Sequence, residues 1–410
     1  MPIVYRPKIE LGLCLLQPGI ERRDIDIHVF TLITSLCAVA AIIIPSTGFL
    51  QDPRIAEIFY HASKRSLNLY RAEDLKHPTS TSIAIRYFHS GYRHAAGIRP
   101  RLWHDLEDAI RLMQAMRLYD EVSYRNMDYI ESQLCRRLFW IIFTADKSAG
   151  ILNNHPIALG GELFEGVKPA EYSKDLDDQP SFPTQELGGA TLSILAGFNF
   201  NNDLWRAAYS VLAHIESLRN RFAHHETGDD QASNIPGLED FSRLTELYIT
   251  FEASLNSLHP SLGAYHTLSL SPSTFHFGQN TDGEPLPRAL AVQRTNLHVS
   301  FQCLRLVIIN AFASTNGQSR VLGSSALLLQ KIGIAKEMLY IVHSSSLETL
   351  RLNGESCVEK IRLVGAAILE LIDQHPQSPL ASTARQYGNL YPYILAHLES
   401  KACDSLVEDT

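Results

Sequence analysis

Residues 136–150 read RRLFWIIFTADKSAG. Two arginines stand against Leu138, Phe139 and Trp140, and Asp146 and Lys147 follow a run of apolar residues. Spacing decides what this stretch is. Ile130, Leu134, Leu138, Ile141, Ala145 and Leu152 recur at steps of three, four and seven, which places them on one stripe of a helix over about 127–152. Phe139, Trp140 and Phe143 widen the stripe. A helix apolar on most sides is buried on most sides. Arg136 and Arg137 then fall near its middle, where an unpaired charge is too costly. At least one of them is expected to pair with an acid on a neighbouring helix, and Asp146 to anchor the same helix in the same way.

The helical period continues in both directions. Upstream, 24–44 reads as one apolar helix stopped by Pro45, and Asp52 with Pro53 opens a second. Thr79 to Ser82 cap a third that ends at Gly97, and Pro100 begins a fourth, with Leu102, Leu106, Ala109, Ile110, Met113 and Met116 on one face. Downstream, 153–185 is irregular, with four prolines and several Gly and Asp residues. Further helices are expected over about 186–222, 238–257, 289–313, 322–349, 355–374 and 378–399. No strand ladder or internal repeat is visible, so the fold class is all-α. The organisation expected is an N-terminal extension (1–23), a helical region (24–258), a Ser/Pro/Gly/Asn-rich loop (259–288), a C-terminal helical part packed on the first (289–400), and an acidic tail (401–410).

Composition narrows the function. Of 410 residues, 45% are hydrophobic and 20% charged, which is ordinary for a globular chain with large cores. The net charge is −8 and no Lys/Arg run exceeds two residues. The basic stripe of a nucleic-acid-binding domain is missing from the sequence. The six cysteines, Cys14, Cys37, Cys135, Cys303, Cys357 and Cys403, are each more than twenty residues apart. That spacing lacks local CxxC zinc geometry and the density of a secreted disulfide framework, so buried free thiols in a reducing, intracellular setting are expected. The segment 30–50 is interrupted by Thr34, Ser35 and Pro45. It falls short of the roughly 18 apolar residues a membrane span needs and reads as a core helix.

No catalytic and no metal-binding residue is expected. The stretch DLDD, Asp175 to Asp178, matches the pattern of cyclases that protonate an alkene. It stands between polar and proline-rich residues without a DDxxD partner, so it reads as a solvated acidic turn. His224, His225 and Glu226 have metal-ligand types at the wrong spacing for a shared helix face, in an expected loop. His89, His94 and His155 read as packing or surface residues. Nucleophile-elbow, Walker and dinucleotide motifs are missing.

The segment ESQLCRRLFWIIFTADKSAGILNNHPIAL, residues 131–159, resembles the most characteristic block of the fungal-specific transcription factor domain, the middle homology region of Zn2Cys6 binuclear-cluster regulators. Arg136, Arg137, Phe139, Trp140, Asp146, Lys147, Ser148 and Pro156 fill the block's places. LITSLCAVAAI resembles the family's first helix, and WHDLEDAIRLMQAMRLYDEVSY a later one that commonly ends in Gly-Leu-His. Here Arg117-Leu118-Tyr119 stands in that place, and Met116 replaces a usual Leu. The resemblance spans about 25–260. It implies a helical regulatory domain of a nuclear transcription regulator, a non-enzyme whose partners are other transcription factors or co-regulators and a small-molecule effector. The loop 153–185 would then serve as a lid over an effector pocket. The family's six-cysteine zinc cluster has no counterpart here, and the first matching helix starts near residue 24. Zinc, direct DNA recognition and membrane attachment are therefore not expected; zinc would enter only with an upstream cluster. Two other classes stay open: an all-helical, terpene-cyclase-like biosynthetic enzyme built on DLDD, and an inactive interaction module.

Overall fold

The computed structural model describes residues 3–16, 26–44, 53–98, 103–153, 155–160, 164, 166–177, 194–226, 237–263, 275–277, 287–315 and 324–398. Among the described residues there are fifteen α-helices and no strand. They are α1 (Arg6–Leu15), α2 (Ile27–Ile43), α3 (Pro53–Lys76), α4 (Ser80–Ala95), α5 (His104–Ala115), α6 (Tyr129–Asn153), α7 (Lys174–Asp177), α8 (Ile194–Glu226), α9 (Leu238–Glu252), α10 (Arg288–Thr315), α11 (Ser324–Ser344), α12 (Leu347–Leu352), α13 (Glu355–Gln374), α14 (Pro379–Gly388) and α15 (Leu390–Leu398).

Local chemistry sets several of these boundaries. Asp26 caps α2, its Oδ1 accepting from the His28 amide at 2.8 Å. The hydroxyls inside α2 bond back to carbonyls of their own helix: Thr31 to Ile27 at 2.7 Å, Thr34 to Phe30 at 2.8 Å and Ser35 to Leu32 at 2.8 Å. That satisfaction lets an apolar helix bury three polar side chains. No described helix is long and apolar enough to cross a membrane. Helix α4 begins with the Thr79–Ser82 capping box read from the sequence. Just past α5 and its C-cap Met116, Arg117 adopts φ 55°, while the Leu118 amide reaches back to the Met113 carbonyl at 3.1 Å. This is the left-handed C-cap that glycine normally fills, and a side chain there costs about 1 kcal/mol. It is also the position where the resembled family commonly has Gly.

Three expected elements differ. The stretch 322–349 is two helices, because Ser346 starts a new one by accepting the Thr349 amide at 3.1 Å. The stretch 378–399 divides at Asn389. Pro392 lacks an amide hydrogen and would clash with the carbonyl four residues back in a continuous helix. The backbone through His224, His225 and Glu226 is the end of α8 rather than a loop. The start expected for that helix, 186–193, lies outside the described residues.

Two large hydrophobic cores form. The first gathers Ile3, Leu32, Phe88, Met113, Leu138, Trp140, Phe143, Trp205 and Phe251, so the N-terminal stretch joins this core through Ile3. The second gathers Leu306, Met338, Leu339, Ile361, Ile368, Tyr391 and Ile394. Helix α10 serves both, sending Leu304 and Ile308 into the first and Val299 and Leu306 into the second.

Candidate functional site: the anchored helix α6

Helix α6 is the stretch quoted at the outset, and its burial follows the expected stripe. Leu138, Phe139, Trp140, Ile142 and Phe143 are all buried. Phe139 and Phe143 meet Trp140 edge-on, with ring centroids 5.2 and 5.6 Å away. The Trp140 indole N–H donates to the Lys168 carbonyl at 2.9 Å, and the Arg206 guanidinium covers its ring at 5.1 Å.

The four charges are all paired, but not with neighbouring long helices. Arg136 grips Glu121 in the 3-10 turn Glu121–Asn126 with both terminal nitrogens, Nη2 to Oε2 at 2.9 Å. Its guanidinium lies over the Tyr124 ring at 4.3 Å. Burial opposes the Arg136 charge, yet the Glu121 hydrogen bond and charge outweigh it and raise its pKa. Burial likewise works against ionised Glu121, and its bonds from Arg136 and the Lys168 amide outweigh that and lower its pKa.

Arg137 makes a fork-to-fork pair with Asp177, at 2.9 Å to Oδ1 and 2.8 Å to Oδ2. Its side chain is 1% exposed and that of Asp177 5%. Asp177 also accepts the Ser173 amide at 2.7 Å. The DLDD stretch is thus not a solvated turn as a whole. Asp175 is exposed, but Asp177 ends α7 facing inward as the counter-charge of Arg137; Asp178 lies outside the described residues.

Asp146 accepts the amides of Ala158 at 2.9 Å and Leu159 at 3.1 Å, and the Lys147 ammonium at 3.1 Å. Lys147 also donates to the Leu159 carbonyl and sits 4.1 Å over the Tyr209 ring. Burial lowers the Lys147 pKa, and Asp146 opposes that shift. Gly150 lets the chain come back this closely: a Cβ there would lie 2.5 Å from Ile157 Cγ1. Pro156 sits exposed in the returning turn.

These bonds reveal a strap. The described residues between 155 and 177 return antiparallel to α6, meeting it at Asp146 through 158–159, at Trp140 through 168, and at Gln133 and Arg137 through 171. Leu159, Phe164, Val167, Ala170 and Leu176 are buried beneath it. The described residues of the expected lid are therefore bolted to the core. Sequence reading missed Glu121 and Asp177 as partners because they stand 15 and 40 residues from their arginines, beyond any helical period.

Elsewhere, His94 joins the two cores, its Nε2 3.1 Å from Glu359 Oε1 on α13. His89 is buried against the Ser63 hydroxyl at 2.8 Å, and His155 packs on Trp103. Among the described residues no group of His, Cys, Asp and Glu could hold a metal, and Cys14, Cys37, Cys135, Cys303 and Cys357 are free thiols. A cavity of about 110 Å³ lies where α1, α4 and α6 meet. Its charged groups are engaged, Glu131 with the Ser80 amide and hydroxyl at 2.6 Å each, and Lys8 with Thr81 at 3.2 Å.

Two fungal transcriptional activators are similar to this chain. Over 167 residues, 39% of the chain, it is 26% identical to the citrinin biosynthesis transcriptional activator mrl3 of Monascus ruber. The citrinin biosynthesis transcriptional activator ctnR of Monascus purpureus is likewise 26% identical over 167 residues. The match spans 30% of the first relative's length and 27% of the second's. No family model matches the chain, and no solved structure matches it significantly.

Proposed function

We propose that this chain is a transcription regulator of the fungal Zn2Cys6 kind, built on the middle homology region and acting in the nucleus. It works through contacts with other transcription factors or co-regulators and with a small-molecule effector, and its targets are a metabolic or biosynthetic gene set. The carrying observation is the coincidence of two independent facts. The chain is similar to two activators of a fungal biosynthetic pathway, and the block that resembles the regulatory domain is the bolted centre of the fold. A non-enzymatic role agrees with Asp177, the best acid of the competing cyclase reading, being held by Arg137 and Ser173.

The test is chromatin immunoprecipitation of the tagged full chain, paired with transcript profiling of a deletion strain. Enrichment at a small set of promoters and loss of the linked transcripts is expected. A chain excluded from chromatin, with transcripts unchanged on deletion, overturns the proposal.

A further inference from the structure

Five Lys and Arg side chains are buried among the described residues: Arg86, Arg136, Arg137, Lys147 and Lys360. Four have a carboxylate. Arg86 pairs with Asp74 at 2.8 Å, and the other three with Glu121, Asp177 and Asp146. Lys360 on α13, 4% exposed, makes no direct ion pair with a carboxylate of the described residues; the charge of Glu359 acts on it only through space. Its ammonium donates to the Ser300 hydroxyl of α10 at 2.9 Å and stands 5.4 Å from the centre of the Trp205 ring of α8. The surroundings are short of acceptors. The Trp205 indole N–H is buried without a hydrogen-bond partner, as is the Asn202 amide nitrogen one turn earlier on α8. Cys303 and Cys357 supply only thiols, which burial keeps protonated by pushing them up to about 12 and about 11. Burial also pushes the Lys360 ammonium below its ordinary value. A buried charge without an ion-pair partner and an orphaned donor are each unfavourable, and one anionic acceptor between Lys360 and Trp205 would answer both.

A polar seam runs along the α8–α10 contact towards this point. Gln293 donates to the Ile194 carbonyl at 2.6 Å and Asn296 to Asn201 Oδ1 at 3.2 Å. Gln293, Asn296 and Ser300 are spaced three and four residues apart, so they share one face of α10. The outer members are half-buried and Ser300 fully buried.

We propose that the junction of α8, α10 and α13 binds a small carboxylate, held by the Lys360 ammonium, the Ser300 hydroxyl and the Trp205 indole N–H. The site lies beside α10, which feeds both cores along its length, so an occupant ties α8 of the first core to α13 of the second. This deepens the regulator reading by naming the chemistry of the effector, and rests on that reading for its biological purpose.

The experiment is thermal unfolding of the full chain in sodium acetate and sodium succinate, each against sodium chloride at equal ionic strength. A saturable, carboxylate-specific rise of about 2–4 °C is expected. Lys360→Met should fold with unchanged helicity and lose that rise. Trp205→Phe keeps the ring and removes the N–H, and should raise the half-saturating concentration about tenfold. If Lys360→Met does not fold, Trp205→Phe carries the comparison. A rise equal to that in chloride, or a carboxylate response that survives intact in both variants, overturns the proposal. Neither readout involves transcription, so its failure is distinct from failure of the chromatin experiment.

Discussion

Two regions of this molecule handle buried charge in opposite ways. Around α6, every buried cation meets a carboxylate: Arg136 and Arg137 reach Glu121 and Asp177 in short segments, and Lys147 meets Asp146 of α6 itself. At the α8–α10–α13 junction, a lysine is buried just as deeply against a hydroxyl and an aromatic ring. The difference teaches what each region is for. Paired charges in the first fix geometry: Arg137 pins the strap to α6 through Asp177, Arg136 pins the 3-10 turn through Glu121, and removing either partner strands the other in a low dielectric. A cation in the second that makes no direct ion pair with a carboxylate of the described residues pins less than an apolar side chain would, and on the proposal above it serves to recognise an anion.

The largest effect that would sharpen this comparison is at Arg137. Arg137→Ala leaves Asp177 buried without its partner and should destabilise the domain by about 3–5 kcal/mol in urea unfolding. The double substitution Arg137→Met with Asp177→Leu removes both charges and should recover most of that loss. A single variant of normal stability but no activity would refute the anchoring role.

Lys360→Met tests the other side. Replacing the lone charge with an apolar side chain of similar length should stabilise the protein by about 1–3 kcal/mol in the absence of ligand. A loss of stability there would mean that the lysine is a structural bolt like the arginines, and the contrast would collapse.

The smallest effect concerns the bridge between the cores. Burial opposes the charged form of His94, but Glu359 outweighs it and raises the His94 pKa. Burial opposes ionised Glu359, but His94, Asn153 and Arg362 outweigh it and lower the Glu359 pKa. Glu355 and Lys360 on α13 also face the pair. The raised histidine stabilises the fold fully below its ordinary 6.5 and loses that contribution as pH rises through the folded value. The depressed glutamate contributes fully above its ordinary 4.5 and loses that as pH falls through its folded value. The bridge is therefore strongest between 4.5 and 6.5. His94→Gln should cost roughly 1 kcal/mol at pH 5.5, and the gap from wild type should close as pH rises past neutrality. A gap that does not change with pH would remove the charge from the account.

Much of the architecture was legible because helix formation is local. The stripe of α6, the Asp26 and Thr79 caps and the stop at Gly97 are all set within a few residues. Chain breaks were less legible: Ser346 and Pro392 carried signals that the longer apolar pattern overrode. The candidate sites were legible only in part. Arg136, Arg137, Asp146 and Lys147 stood out as charges in a greasy helix, whereas Asp177 stood out only as part of an acidic turn, and Glu121 and Lys360 carried no signal of their own.

By itself the sequence determined an all-helical chain and a central helix that had to be buried with its charges, since period and hydrophobicity act over one or two turns. Only the tertiary structure decided which carboxylate reaches which cation, that the described residues between 155 and 177 form a strap, and that Lys360 is buried against a hydroxyl and an aromatic ring. Those facts depend on which distant segments the packing of two cores brings within 3 Å of one another, and no local spacing encodes that.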